Sequence, residues 1–137
     1  WVSSKTVEVS DRGDTTGRWR NYAEGNKYQM EDGSLAAGGW KLISGSWYYF
    51  DEKGYAKTGW LEANGSRYFL DEDGRMTEGW MEIDGFWYYF QKDGAMAVGW
   101  VQPEPGEWYY MQEDGVMAAD TTVDGCRLDV SGLWIPS

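Results

Sequence analysis

The chain has 137 residues, with 23 acidic against 12 basic side chains and a formal net charge of -11. That balance argues against nucleic acid, whose binding rests on clustered Lys and Arg meeting phosphate. It suits a cationic ligand, because an acidic surface concentrates cations at low salt, and it also keeps an aromatic-rich surface soluble. The sequence has no His, which removes the commonest general base and metal ligand. Aromatics make up 18% of the chain while Leu, Ile and Val are scarce, so rings must replace the usual aliphatic core. The single Cys126 allows no internal disulfide. No apolar run is long enough for a membrane-spanning helix. The chain begins at Trp1 without a signal-peptide pattern, as expected of a fragment whose export signal lies elsewhere.

In chain order, residues 1–16 are rich in Ser, Thr and charge and read as a linker or N-terminal cap. From residue 17 to 137 the chain reads as one repeat array. A faint first unit carries Trp19, Lys27-Tyr28-Gln29-Met30 and the turn Glu31-Asp32-Gly33. Four clear units follow over about residues 39–119. Gly39-Trp40, Gly59-Trp60, Gly79-Trp80 and Gly99-Trp100 recur every 20 residues. Each is followed by a cluster: Trp47-Tyr48-Tyr49-Phe50, Arg67-Tyr68-Phe69-Leu70, Trp87-Tyr88-Tyr89-Phe90 and Trp108-Tyr109-Tyr110-Met111. The last comes one residue late, after Pro103-Glu104-Pro105-Gly106. Each cluster runs into an acidic turn ending in Gly, such as Asp51-Glu52-Lys53-Gly54. A ring-poor unit, Asp124 to Val130, closes the array, as terminal caps of repeat proteins do.

Each unit is expected to be a β-hairpin. Its first strand would be the aromatic cluster. Its turn would be the Gly-ended acidic stretch. Its return strand would be short, as in Ala95-Met96-Ala97-Val98. The Gly-Trp tryptophan would sit in the loop before the hairpin. An isolated hairpin is marginal in water, so the units must stack. The expected fold is therefore all-β, an elongated solenoid of stacked β-hairpins built from ~20-residue repeats. Asp71-Glu72-Asp73-Gly74 is the best calcium candidate, but the spacing of an EF-hand loop is absent, and solvated turns explain these acids better.

Side chains alternate across a strand, so Trp87 and Tyr89 share one face and Tyr88 and Phe90 the other. For Tyr49, Phe50, Phe69, Tyr89, Phe90 and Tyr110 the expected role is packing. The Gly-Trp tryptophans and the first cluster residues fit a second role. Three rings around a solvent-facing gap hold a quaternary ammonium by cation–π attraction, or a sugar face by stacking.

The pattern G-W-x4-G-x-W-Y-Y-F-x3-G-x-M resembles the choline-binding, or cell-wall-binding, repeat of Gram-positive surface proteins, cell-wall hydrolases and their phages. Related repeats occur in glucan-binding domains and in receptor-binding regions of clostridial toxins. The resemblance covers about residues 17–134. It implies sites built from the Gly-Trp tryptophan and first cluster aromatic of one repeat with the first Tyr of the next, sometimes with the Met after the turn Gly. It thus implies Trp40, Trp47 and Tyr68 as one site and Trp80, Trp87 and Tyr109 as another. Trp60 and Tyr88 would share a third with Arg67, whose guanidinium should repel a cation. Trp100 and Trp108 would begin a fourth that lacks an aromatic partner near Leu128. At the N-terminus Lys27 stands where a Trp is wanted.

The resemblance implies a secreted, non-catalytic module on the bacterial cell surface, without cofactor or metal. Its partner would be choline or a wall polysaccharide or teichoic acid, and a homodimer through the terminal repeats is a further expectation. A carbohydrate-binding module for glucan or host glycans, and a structural spacer, are the alternatives. With no His and with carboxylates mainly in turns, no acid–base pair or nucleophile is visible.

Overall fold

The computed structural model describes residues 12–136. Their strands form successive antiparallel hairpins: β1 (Arg18–Tyr22) with β2 (Gly25–Gln29), β3 (Gly39–Ile43) with β4 (Ser46–Phe50), and β5 (Gly59–Ala63) with β6 (Ser66–Leu70). β7 (Gly79–Ile83) pairs with β8 (Phe86–Phe90), and β9 (Gly99–Glu104) with β10 (Glu107–Met111). A last three-stranded sheet holds β11 (Thr121–Val123), β12 (Cys126–Leu128) and β13 (Trp134–Ile135). The all-β architecture of repeated hairpins is as the sequence predicts. Among the described residues, no helix is long and apolar enough to cross a membrane.

The hairpins lie in a different place from the expected one. The tight turn is not the acidic stretch but the dipeptide before each cluster. Asp84 and Gly85, at φ 53° and 88°, link β7 to β8, and Ser44 and Gly45, at 49° and 87°, link β3 to β4. Positive φ at both central residues is what a type I′ turn requires, and its twist matches that of the flanking strands. The Gly-Trp tryptophan is therefore a strand residue, not a loop residue. Trp80 faces Tyr89 across the β7–β8 ladder, as Trp40 faces Tyr49 across β3–β4. The segment after each acidic turn forms isolated bridges, such as Phe90 with Met96, rather than a full strand.

The acidic turns have their own local logic. Asp51 Oδ1 accepts the backbone N–H groups of Lys53 and Tyr55, each at 2.9 Å, and Asp71 does the same for Asp73 and Arg75. The carboxylate so replaces backbone partners that the bend leaves unpaired.

The chain divides into two compact units, residues 1–61 with 69–76 and residues 62–68 with 77–137. In the first, Tyr28, Ala36, Ile43, Tyr48 and Phe50 form the core, with Met30 and Ala56 against it. Trp19 stands 4.8 Å from Tyr48 and 5.1 Å from Tyr28 between ring centroids. The Asp14 backbone donates to Leu42 O and accepts from Ser44 N, each at 2.9 Å, tying the segment before β1 to the β3 edge. In the second unit, Ile83, Phe90, Ala95, Ala97, Met111, Ala118 and Leu128 are buried. Its successive hairpins stack through the segments after the acidic turns. Met117 N donates to Trp87 O of the preceding hairpin at 2.8 Å, and Ala118 N to Tyr110 O of its own at 2.9 Å.

Candidate functional site

In the second unit the alternation of β8 separates two sets of rings. Phe90 is buried and lies 6.4 Å from Tyr88 on the inner face. Trp87 and Tyr89 share the other face with Trp80. Trp80 meets Tyr89 edge-on at 5.0 Å and Trp87 at 6.4 Å, with planes 81° apart for the second pair. Tyr109 of the next hairpin stands 4.9 Å from Trp80, at 75° to it. These near-perpendicular planes make walls rather than a collapsed stack. They line an open cavity of about 430 Å³ with Met117, Val130 and Ser131.

Two glycine-ended turns shape this cavity. The Met117 backbone bond to Trp87 O brings its thioether to the rings. Gly132, at φ 88°, makes room for it: an added Cβ would lie 2.6 Å from Met117 Sδ and 2.8 Å from Cε. Burial raises the Tyr109 phenol above its ordinary pKa, and the charges of Glu107 and Asp129 act in the same direction. The ring therefore stays neutral in neutral solution, and its oxygen keeps its proton.

The other sequence-predicted residues are placed as follows. In the first unit, Trp40 meets Tyr49 edge-on at 5.2 Å, and Trp60 meets Phe69 at 5.3 Å. Trp47 is 41% exposed and opposes Leu42. Tyr68 and Tyr88 belong to the second unit and are half-buried. Arg67 is exposed and pairs with Glu62 at 3.7 Å. The rings expected to pack do so in two ways. Phe50 and Phe90 are fully enclosed, while Tyr49, Phe69, Tyr89 and Tyr110 are half-buried floors beneath the Gly-Trp tryptophans.

The strand register corrects two positions. Gln29 opposes Arg18 as Phe50 opposes Gly39, so Asn26 occupies the Trp47 position and Lys27 that of Tyr48. Lys27 Nζ lies 4.5 Å from the Tyr55 ring centroid and 5.4 Å from that of Tyr22. Beyond Trp108, the position matching Tyr109 is Cys126 rather than Leu128, which is fully buried. Trp100, Trp108 and Cys126 line a second cavity, closed by Trp134, a residue the sequence reading missed. A signal for it was present. Gly132-Leu133-Trp134 repeats Gly115-Val116-Met117, so Trp134 stands at the Met117 place.

The family profile of the choline-binding repeat matches residues 37–78 and 77–121. No curated protein matches the sequence. Among solved structures, choline binding protein F from Streptococcus pneumoniae is 38% identical with a TM-score of 0.80, over 86% of this chain and 40% of that one. The pneumococcal cell wall endolysin from phage Cp-1, complexed with choline, is 40% identical with a TM-score of 0.66, over 79% of this chain and 32% of that one. The choline binding domain of Spr1274 from Streptococcus pneumoniae is 41% identical with a TM-score of 0.55, over 58% of this chain and 96% of that one. The chain thus spans about two fifths of the length of choline binding protein F. Register, repeat pattern and these matches agree: the chain belongs to the choline-binding repeat family.

Proposed function

We propose that this chain is a non-catalytic binding module that holds a parent protein to a choline-bearing polymer, such as teichoic acid, on a Gram-positive cell surface. The observation that carries this reading is the cavity bounded by Trp80, Trp87, Tyr109 and Met117. A trimethylammonium group has no hydrogen-bond donors to satisfy. Three π faces and a polarizable sulfur replace its water, and the net charge of -11 favours its approach. Each ring contributes roughly 0.5–2 kcal/mol to holding a cation. Three rings, less ordering costs, leave about 4 kcal/mol, a dissociation constant on the order of 1 mM. Such a site is useful in an array facing a polymer, where avidity multiplies it. The choline-bound phage endolysin structure supports the same chemistry for a relative.

Titration with choline, followed by Trp fluorescence, tests this reading. Saturation in the millimolar range is expected, with the dissociation constant raised roughly 2- to 30-fold in Trp80→Ala and in Trp87→Ala. A response to wall oligosaccharides with none to choline would overturn it in favour of carbohydrate binding.

A further inference from the structure

The first unit carries a feature of opposite sign to the chain as a whole. Residues 12–29 hold four basic side chains, Arg12, Arg18, Arg20 and Lys27, against two acids, Asp14 and Glu24, a local charge of +2 in a chain of -11. Alternation along β1 sorts them by face. Trp19 and Tyr28 oppose each other across the β1–β2 ladder and pack inward, with Tyr28 buried. Arg18 and Arg20 stand on the other face, with their ladder partners Gln29 and Lys27. Lys27 commits its ammonium to the Tyr55 and Tyr22 rings. The two arginines have no such commitment.

One guanidinium is held from behind. Arg20 Nε donates to Gln29 Oε1 at 3.0 Å, and Gln29 Nε2 donates in turn to Gly33 O at 3.1 Å. This relay orients the amide and fixes the plane of the guanidinium. Among the described residues, no carboxylate lies within ion-pair distance of Arg18 or Arg20, whereas Arg67, Arg75 and Arg127 each have one. Arg18 and Arg20 line a polar cavity of about 380 Å³ with Thr16, Gln29, Glu31 and Gly33. Two arginines less one glutamate give its lining a formal charge of +1.

The lining chemistry selects the occupant. No ring lines this cavity, and a cation would meet two guanidiniums. The guanidinium fork matches a pair of oxygens on a carboxylate or a phosphate. Residues two apart on a strand are about 7 Å apart, so the two forks approach a ligand from separate directions. A carboxylate offers both its oxygens to one fork. A phosphodiester offers one free oxygen to each side, and its single negative charge matches the +1 of the lining. The net charge of -11 opposes a densely charged polymer such as nucleic acid, which leaves a sparsely charged polymer as the source.

We propose that Arg18 and Arg20, with Gln29 as their positioning residue, bind the phosphodiester group of a sparsely charged polymer. The inference goes beyond the reading of the first cavity and stands without it: it concerns the other compact unit and a group of opposite charge. The full chain, labelled with nitrogen-15, is titrated with dimethyl phosphate, inorganic phosphate, acetate and an oligothymidylate, against sodium chloride at equal ionic strength. The Arg20 Nε–H and Gly33 amide resonances are followed. Dimethyl phosphate is expected to give a saturable shift that chloride does not, at a lower concentration than the other anions. Arg18→Gln and Arg20→Gln should each raise its half-saturating concentration roughly 2- to 5-fold, the range of an exposed ion pair. Glu31→Gln should lower it about twofold, and Trp80→Ala should leave it unchanged. All three substituted side chains in this unit are exposed, so the variants keep the fold. A response no greater than that to chloride, or one that survives both arginine substitutions, overturns the site. Tighter binding of acetate or inorganic phosphate overturns the diester as occupant, and tighter binding of the oligothymidylate overturns a sparsely charged polymer as its source. A dimethyl phosphate response in a chain whose Trp fluorescence ignores choline would sink the cation reading and leave this site standing; the converse would sink this site alone.

Discussion

Neighbouring rings in one cluster meet opposite fates because the strand period is two. Phe90 is 1% exposed and Trp87 is 42% exposed, three residues apart on opposite faces of β8. Phe90→Ala should therefore cost about 3–5 kcal/mol of stability, the loss of a buried aromatic with its cavity. Trp87→Ala should cost about 1 kcal/mol or less, because water already reaches that ring. Urea midpoints of the two variants check this, and similar losses in both would deny that the faces differ. This split was legible in the sequence, because alternation is a local rule. The Cys126 and Trp134 pair was legible only in part. Its residue types break the repeat; the spacing of Gly132-Leu133-Trp134 hints at the Met117 place, but the β12 register is what puts Cys126 at the Tyr109 position.

The elements show where sequence reasoning misplaced the hairpin and why. Two Gly-containing turns flank every cluster, and both offer positive φ. Composition favours the acidic one. The structure instead closes the ladder at the dipeptide turn, where the link is short and both central residues have positive φ at Ser44-Gly45, Asn64-Gly65 and Asp84-Gly85, while at Pro105-Gly106 only the Gly does. The acidic turn makes the stacking bend, with its Asp holding backbone N–H groups. The β1–β2 hairpin adds a tertiary anchor of the same kind. Tyr28 Oη donates to Asp14 Oδ1 at 3.0 Å and accepts from Gly17 N at 2.8 Å. The Thr16 backbone N–H, and next the Tyr28 hydroxyl, lower the Asp14 pKa against its partial desolvation. Burial, and then the bond to Asp14, raise that of Tyr28. A lowered carboxyl contributes stability that is present above its unfolded value of 3.8 and is lost as pH falls through the folded value. A raised phenol contributes stability present below its unfolded value of 10.0 and lost as pH rises through the folded one. Asp14→Ala should therefore cost about 1 kcal/mol at neutral pH. The difference from wild type in urea midpoints should narrow below about pH 4. A gap that stays constant into acid would mean that the carboxylate charge plays no part.

For the whole molecule, the proposed function makes the acidic surface and the aromatic cavities act on a cation in different ways. The net charge of -11 works through solvent and is screened, with a Debye length of about 3 Å at 1 M salt. The cation–π contacts work at ring distance and are not. Choline should therefore stabilise the protein by mass action even at high salt. At roughly 10 mM ligand and a dissociation constant near 1 mM, each site adds about 1.4 kcal/mol, which raises Tm by roughly 3–6 °C for a chain of this length. Raising sodium chloride from about 0.05 to 1 M should reduce that shift only in part, because salt removes the long-range attraction and leaves the ring contacts. Thermal unfolding with choline against 3,3-dimethylbutan-1-ol, at both salt concentrations, separates the contributions. If high salt abolished the choline shift, the acidic surface would be the binder and the cavities only scenery. If the alcohol matched choline at both salts, the pockets would recognise methyl groups without their charge. A charge-dependent shift that survives salt is the result that aromatic cages require.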